Sequence, residues 1–416
     1  MFRASTFLYS KLDDLFMPLA LFALTLSAFA IGTTEFVIVG LLPTMASDLG
    51  VSLPSAGLLV SLYALGVAIG APLLTALTGK WKRKQLLLAV MTLFVLGNLM
   101  AWQAPSYSSL IIARTLTGLA HGVFFSIGST IATGLVAKDK AASAIAIMFT
   151  GLTVALVTGV PLGTYIGQHF GWQTTFLIVA GLGLVALIGS ALLVPNNLKQ
   201  PPVASLSSQL SVLTQPRLLL VYAITALGYG GTFVTFTYLA PILQTVTGFG
   251  ESAIGLIMLV YGVSVAIGNI WGGKMADKMG PVNALKVIFV GLAAVLVAFN
   301  FTAYSPIAAV LTILIWGAFA FGNVPALQLY VVRIAEKHSP KAVDVASGLN
   351  IAAFNVGIAL GSWGGGHIVA QSGVMTTPWV GALVILGALM ATFITGQLDK
   401  KAAIATALKP VHQVAS

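Results

Sequence analysis

One carboxyl, one guanidinium and one imidazole, those of Glu35, Arg114 and His121, stand inside long apolar stretches of this chain. Together they could move a proton beside a fixed positive charge. A charge at the bilayer centre is unfavourable by at least ~2.5 to 3.5 kcal/mol on insertion scales, so such residues usually face a cavity and pair. Glu35 lies eight residues before Pro43, and Arg114 seven after Tyr107. At ~1.5 Å per residue both then sit roughly 10–12 Å below the same boundary. Burial and a neighbouring guanidinium act in opposite senses on a carboxyl's hold on its proton, so a site where the two nearly cancel can load and release one as solvent access changes. Arg114 is too basic to release its own proton and serves as a fixed counter-charge. Glu35 is therefore expected to carry protons; a static Glu35–Arg114 ion pair that locks two helices is the plainer alternative. His121 follows Arg114 by seven residues, nearly two turns, so both project from one helix face, where Gly118 and Gly122 allow close helix approach. It could relay a proton, bind substrate or simply bond a neighbouring helix.

The stretches that hold these residues read as membrane helices. Hydrophobic residues make up 58% of the 416 and charged residues 7%, with a mean hydropathy of +1.00, where a soluble domain carries roughly 25% charged residues. Twelve apolar runs long enough to span hydrocarbon begin near Met17, Pro54, Leu86, Tyr107, Ala141, Thr174, Pro216, Ser252, Ala284, Pro306, Lys341 and Thr376. An all-α polytopic membrane protein is expected. Of the 20 Lys and Arg residues, all but Arg114 fall at the termini or on alternate loops. The positive-inside rule makes that side cytoplasmic, with both termini there. The net charge of +10 is thus topological: it is dealt out between spans, not gathered on one face as nucleic-acid binding requires. No nucleic-acid partner is expected. The chain has no cysteine, and His169, His338, His367 and His412 sit near loops or ends, so neither a disulfide framework nor a metal site is expected. The first apolar run is too long for a signal-peptide core, and the N-terminus is expected to be retained.

The chain repeats itself. A shift of 198 residues pairs Pro43 with Pro241, Gly57 with Gly255, Tyr63 with Tyr261, and Val67-Ala68-Ile69-Gly70 with Val265-Ala266-Ile267-Gly268. Two six-helix halves follow, residues 1–194 and 216–399, joined by a cytoplasmic linker at 195–215 and followed by a tail at 400–416. Parallel repeats of this kind place the substrate between them near the midplane. The shift carries Glu35 onto Phe233 and Arg114 onto Thr312, or onto Ile313 if one loop residue is inserted, so the second half has no charged pair. It offers aromatic stripes instead: Tyr222, Tyr229, Phe233 and Phe236 in span 7, and Trp316, Phe319 and Tyr330 in span 10. These line the cavity or simply pack. Asn323, Gln328, Asn350 and Asn355 join them, since uncharged polar groups at membrane depth need partners; Thr34, Tyr63 and Tyr261 complete the expected cavity set.

Several motifs resemble those of the major facilitator superfamily. Gly273-Lys274-Met275-Ala276-Asp277-Lys278-Met279-Gly280 is similar to its signature loop, and the matching first-half loop keeps Lys82-Arg83-Lys84 but has Gly79 where the family has its Asp. Arg114 to Gly118 resembles the R-x-x-x-G pattern. Gly159-Val160-Pro161-Leu162-Gly163 resembles the antiporter motif, with Ala155 in place of its first Gly. Gly32-Thr33-Thr34-Glu35-Phe36-Val37 resembles the T-T-E-F segment of the twelve-span drug:proton antiporters, in the branch of arabinose-type, sugar and chloramphenicol exporters. The resemblance implies alternating access around a cavity lined by spans 1, 4, 7 and 10, with Lys82, Arg83, Lys84, Gly273, Asp277, Lys278 and Gly280 in the conformational loops. It also implies a bacterial inner membrane protein.

The expected function is proton-coupled export of small neutral or weakly cationic compounds, amphenicol-like drugs or sugars and their glycosides. Proton-coupled uptake of a nucleoside or sugar is the alternative, since the same charged pair would serve it. No G-x-x-x-x-G-K-[ST] loop is present to bind ATP, and no convergent catalytic groups suggest an enzyme. The partners expected are the substrate, protons and the lipid bilayer, with no cofactor and a monomeric chain.

Overall fold

Inside hydrocarbon every backbone N–H and C=O must be satisfied within the segment that carries it, and helices answer that demand among the described residues. The computed structural model describes residues 2–78, 80–137, 141–198 and 212–407. Twelve helices are long and apolar enough to cross a membrane: α1 (Leu19–Asp48), α2 (Leu53–Leu77), α3 (Arg83–Trp102), α4 (Tyr107–Gly134), α5 (Ala144–Phe170), α6 (Trp172–Leu193), α7 (Pro216–Thr245), α8 (Glu251–Met279), α9 (Pro281–Thr302), α10 (Pro306–His338), α11 (Val345–Ser372) and α12 (Val374–Lys401). No strand occurs among the described residues. Large apolar side chains such as Leu192 (75% exposed) and Ile307 (77%) cover the outer faces, as a surface in contact with hydrocarbon requires. The protein is a multi-pass membrane protein. Most of the expected linker, along with Gly79, Lys138, Lys140, Lys199 and the last nine residues, lies outside the described residues.

Local signals set the height of each span. Ser106 starts α4 with a capping box, its hydroxyl accepting from the Ser109 backbone N–H while the Ser109 hydroxyl accepts from that of Ser106. Gly50, at φ +63°, ends the first helix. These two stops place Glu35 and Arg114 at one depth. Helices α1 to α6 pack chiefly on one another, as do α7 to α12, and the halves meet along α2 with α11 and α5 with α8.

At the end far from the basic loops the halves share one hydrophobic core, which runs from Leu42, Met45 and Ala56 to Tyr238, Leu239 and Leu243. Helix α7 breaks at Thr237–Tyr238, and the Tyr238 hydroxyl donates to the Ser362 carbonyl at 3.1 Å while sitting where a Cβ on Gly57 of α2 would lie. Toward the basic end two further clusters stay apart. One holds first-half residues such as Leu24, Leu87 and Ile127, the other second-half residues such as Leu218, Tyr330 and Ile334. Among the described residues, then, a shared core joins the halves at the far end and separate cores fill them at the basic end.

Candidate functional site

Four helices bring the ionisable groups together. Glu35 of α1, Tyr63 of α2, and Arg114 and His121 of α4 are all buried, and Asn98 of α3 supports them. Close contact of α2 with α4 makes this possible. A Cβ on Gly118 would lie 2.2 Å from the Tyr63 carbonyl oxygen, so only glycine lets Tyr63 approach both Arg114 and His121.

The contacts differ from the expected pairing. Among the described residues Arg114 makes no ion pair with Glu35. Its guanidinium donates to the Thr34 carbonyl at 2.8 Å and the Thr34 hydroxyl at 3.2 Å, and lies 4.0 Å above the Tyr63 ring. Glu35 has His121 as its nearest basic partner, Nδ1 to Oε2 at 3.9 Å, and the same Nδ1 shares a 3.0 Å hydrogen bond with the Tyr63 hydroxyl. The depth expected for the pair is met, since Arg114 reaches the residue next to Glu35. Its bearing is not, because Tyr63 stacks on the guanidinium and holds it toward Thr34. Arg114 keeps two buried N–H groups, at Nε and Nη2, without partners. Thr34 in turn donates its hydroxyl to Asn98 Oδ1 at 2.8 Å. Asn98 is not among the residues singled out from the sequence; as an uncharged polar residue inside an apolar span, four residues before its end at Trp102, it carries the same signal of a group that needs a partner.

The second half supplies a wall of rings. Tyr229, Phe233 and Phe236 of α7, Tyr261 of α8, and Trp316 and Phe321 of α10 form one buried cluster, with neighbouring centroids 4.5–6.5 Å apart. Phe354 of α11 joins at Tyr229, 4.5 Å away. Phe319 is not part of this wall. It packs on Trp271 at 5.3 Å and against Gly291 of α9, on another side of α10. Phe321, two residues on, takes the inward place. The polar set divides. Gln328 and Asn350 close on each other at 2.9 Å, with Thr225 donating to Asn350 and Gln328 donating to Ser347. Asn323 and Asn355 bond only their own helices through Nδ2, leaving Oδ1 of each without a partner, as are the Tyr261 hydroxyl and Trp316 Nε1.

The remaining motif residues lie outside this cluster. Helix α5 contains a π-bulge at Ala155–Gly159, followed by Pro161, and such bulges recur at functional sites. There Gly159 meets α1, since its Cβ would fall 2.1 Å from the Thr33 hydroxyl, and Gly163 lies against Val37. At the basic end Lys82, Asp277 and Lys278 are exposed, Lys84 and Gly273 are half-buried, and Arg83 is buried at the start of α3. Asp277 forms no ion pair among the described residues. Gly280, at φ +82°, turns the chain into α9. The ion pair that does form there, Arg217 with Asp399, was not foreseen; Tyr330 donates to Asp399 at 2.7 Å and so ties α7, α10 and α12. No cluster of metal-binding side chains occurs among the described residues.

Comparison with known proteins adds a family. Residues 24–343 match the model described as Major Facilitator Superfamily. The chain is 53% identical over 382 residues to the uncharacterized MFS-type transporter YtbD of Bacillus subtilis, covering 92% of this chain and 96% of that one. It is 40% identical over 381 residues to the inner membrane transport protein YdhP of Escherichia coli, and 32% identical over 384 residues to a chloramphenicol resistance protein of Streptomyces lividans; each match covers 91% of this chain and 96% of the relative. Among solved structures, that of the nucleoside transporter NupG superposes with a TM-score of 0.73 at 16% identity, over 91% of this chain and 99% of that one. That last likeness is one of fold.

Proposed function

The chain belongs to the Major Facilitator Superfamily and is a transporter, not an enzyme; from that membership we propose that it exports small neutral or weakly cationic compounds in exchange for protons. The carrying observation is that Glu35 is the one acid buried within a span among the described residues, set against Arg114 and His121. Direction rests on the relative that is a chloramphenicol resistance protein, and amphenicol-like drugs are the first substrates to try. The likeness to a nucleoside transporter does not favour uptake, because at 16% identity it speaks for fold alone.

In this reading the basic end is cytoplasmic, the membrane is a bacterial plasma membrane, and the structure is the inward-open state of a monomer. Glu35 takes a proton from outside and releases it to the cytoplasm. Arg114 has two positions. In one it holds the Thr34 carbonyl, as here; in the other its spare Nε and Nη2 groups turn to the Glu35 carboxylate once the proton has left, sparing a bare charge at membrane depth. His121, whose Nδ1 faces both Glu35 and the Tyr63 hydroxyl, takes the proton at that nitrogen and gives up another from Nε2 toward the cavity. The aromatic wall receives the substrate, and its ring faces attract weak cations.

The deciding measurement is proton movement in proteoliposomes on addition of chloramphenicol, for the parent and Glu35→Gln. Protons moving opposite to drug in the parent, and no movement in the variant, are expected. An undiminished response in Glu35→Gln removes Glu35 from the mechanism, and protons moving with the drug makes the protein an uptake carrier.

A further inference from the structure

Phe36 follows Glu35 directly, and a step of one residue turns about 100° around a helix. Glu35 faces α4 while Phe36 faces the other half. Its ring lies 6.3 Å from Phe233 of α7, tilted 37°, and 6.3 Å from Phe321 of α10, edge-on at 77°. Among the described residues it is the only first-half ring that packs on second-half rings. Phe321 and Phe233 both belong to the wall proposed to receive substrate and both touch Tyr229, which touches Phe354, so Phe36 packs directly on that wall.

The repeat adds a second argument. The 198-residue shift carries Glu35 onto Phe233, so Phe36 rests on the residue that occupies the proton site's place in the other half. A contact between such positions lies close to the axis relating the halves. There a rocking motion rotates one half on the other with little separation, so the contact persists while more distant ones exchange. Phe36 also shares a rigid turn of α1 with Thr34, the residue gripped by Arg114. Any shift of α1 that answers a change of charge at Glu35 must move this ring against Phe233 and Phe321.

We propose that Phe36 couples the two halves: it transmits the state of Glu35 to the aromatic wall, so that protons cross only with substrate. It is a positioning residue, acting through Glu35 and the wall, and the proposal rests on the proton-coupled reading above. Without its ring the halves rock without reference to Glu35, and protons leak.

The test needs no substrate. Proteoliposomes bearing an imposed pH gradient are followed with an entrapped pH dye for the parent, Phe36→Ala, Phe36→Leu and Phe36→Tyr. Phe36→Ala and Phe36→Leu are expected to raise the substrate-free proton leak about tenfold, equivalent to about 1.4 kcal/mol of lost coupling. Phe36→Tyr keeps the ring and stays at the parent level. The double variant Phe36→Ala with Glu35→Gln returns to baseline, because the leak runs through Glu35. Phe36→Leu preserves most of the volume and keeps the test readable if the alanine variant fails to insert. Parent-like leak in both ringless variants overturns the proposal, as does a leak that persists in the double variant. Chloramphenicol-evoked proton flux then separates the two levels. If Glu35→Gln keeps that flux, Glu35 is not the proton carrier and the reading on which this proposal rests fails with it; if it loses the flux while the ringless variants stay tight, only the role of Phe36 fails.

Discussion

Replacing Arg114 with Lys isolates what the guanidinium does beyond carrying charge. Its Nη1 donates to the Thr34 carbonyl at 2.8 Å and the hydroxyl at 3.2 Å, its plane covers Tyr63 at 4.0 Å, and Nε and Nη2 remain unspent. A lysine ammonium keeps the charge and can bond the Thr34 carbonyl. As a point donor on a flexible stem, it cannot hold that carbonyl and also present a planar second edge to Glu35. The loss is one hydrogen bond to a charged group, about 1.5–3 kcal/mol. At about 1.4 kcal/mol per factor of ten, coupled transport should fall about 10- to 150-fold. The assay is gradient-driven accumulation of labelled chloramphenicol in inside-out vesicles, normalised to inserted protein. Arg114→Gln, which leaves Glu35 without a counter-charge, should fall further. Rates in Arg114→Lys indistinguishable from the parent would refute the two-position role, because a point charge would then suffice.

Other outcomes follow from the packing. Gly118→Leu inserts a side chain where a Cβ alone lies 2.2 Å from the Tyr63 carbonyl, so it should destabilise by about 1–3 kcal/mol, read as a lower thermal midpoint in detergent, with Gly118→Ala milder. Phe321→Ala should abolish chloramphenicol-evoked proton flux, whereas Phe319→Ala, on another side of α10, should reduce thermal stability and leave the flux; equal losses in both would remove the distinction between the two faces. Asp277 is exposed and forms no ion pair among the described residues, so under the proposed inward-open reading Asp277→Asn should weaken only the state closed at the basic end. The chain has no cysteine, so one introduced at the basic end reports this directly as faster thiol labelling, and unchanged labelling would count against a role of Asp277 in closing that end.

Much of the architecture was legible without coordinates, for two physical reasons. Hydrocarbon tolerates only long, internally bonded apolar helices, so the twelve spans stand out by composition alone. A helix also rises by a constant amount per residue, so turn signals such as the Ser106 cap and Gly50 give depth by counting, and Glu35 and Arg114 fall at one level as expected. The aromatic wall was partly legible: Tyr229, Phe233, Phe236, Tyr261 and Trp316 cluster as a group.

Bearing around each helix was not legible. In a soluble protein the apolar face of a helix reveals which way is inward, but lipid is as apolar as a protein interior, so the pattern carries little of that information. Phe319 and Phe321 look alike in the chain, yet one packs toward α8 and α9 and the other toward the centre. For the same reason the partner of Arg114 could not be read. Its charge and depth belong to the sequence. Whether it meets the Glu35 carboxylate or the neighbouring Thr34 carbonyl depends on a tyrosine from α2 that only the Gly118 contact brings close enough to stack on it.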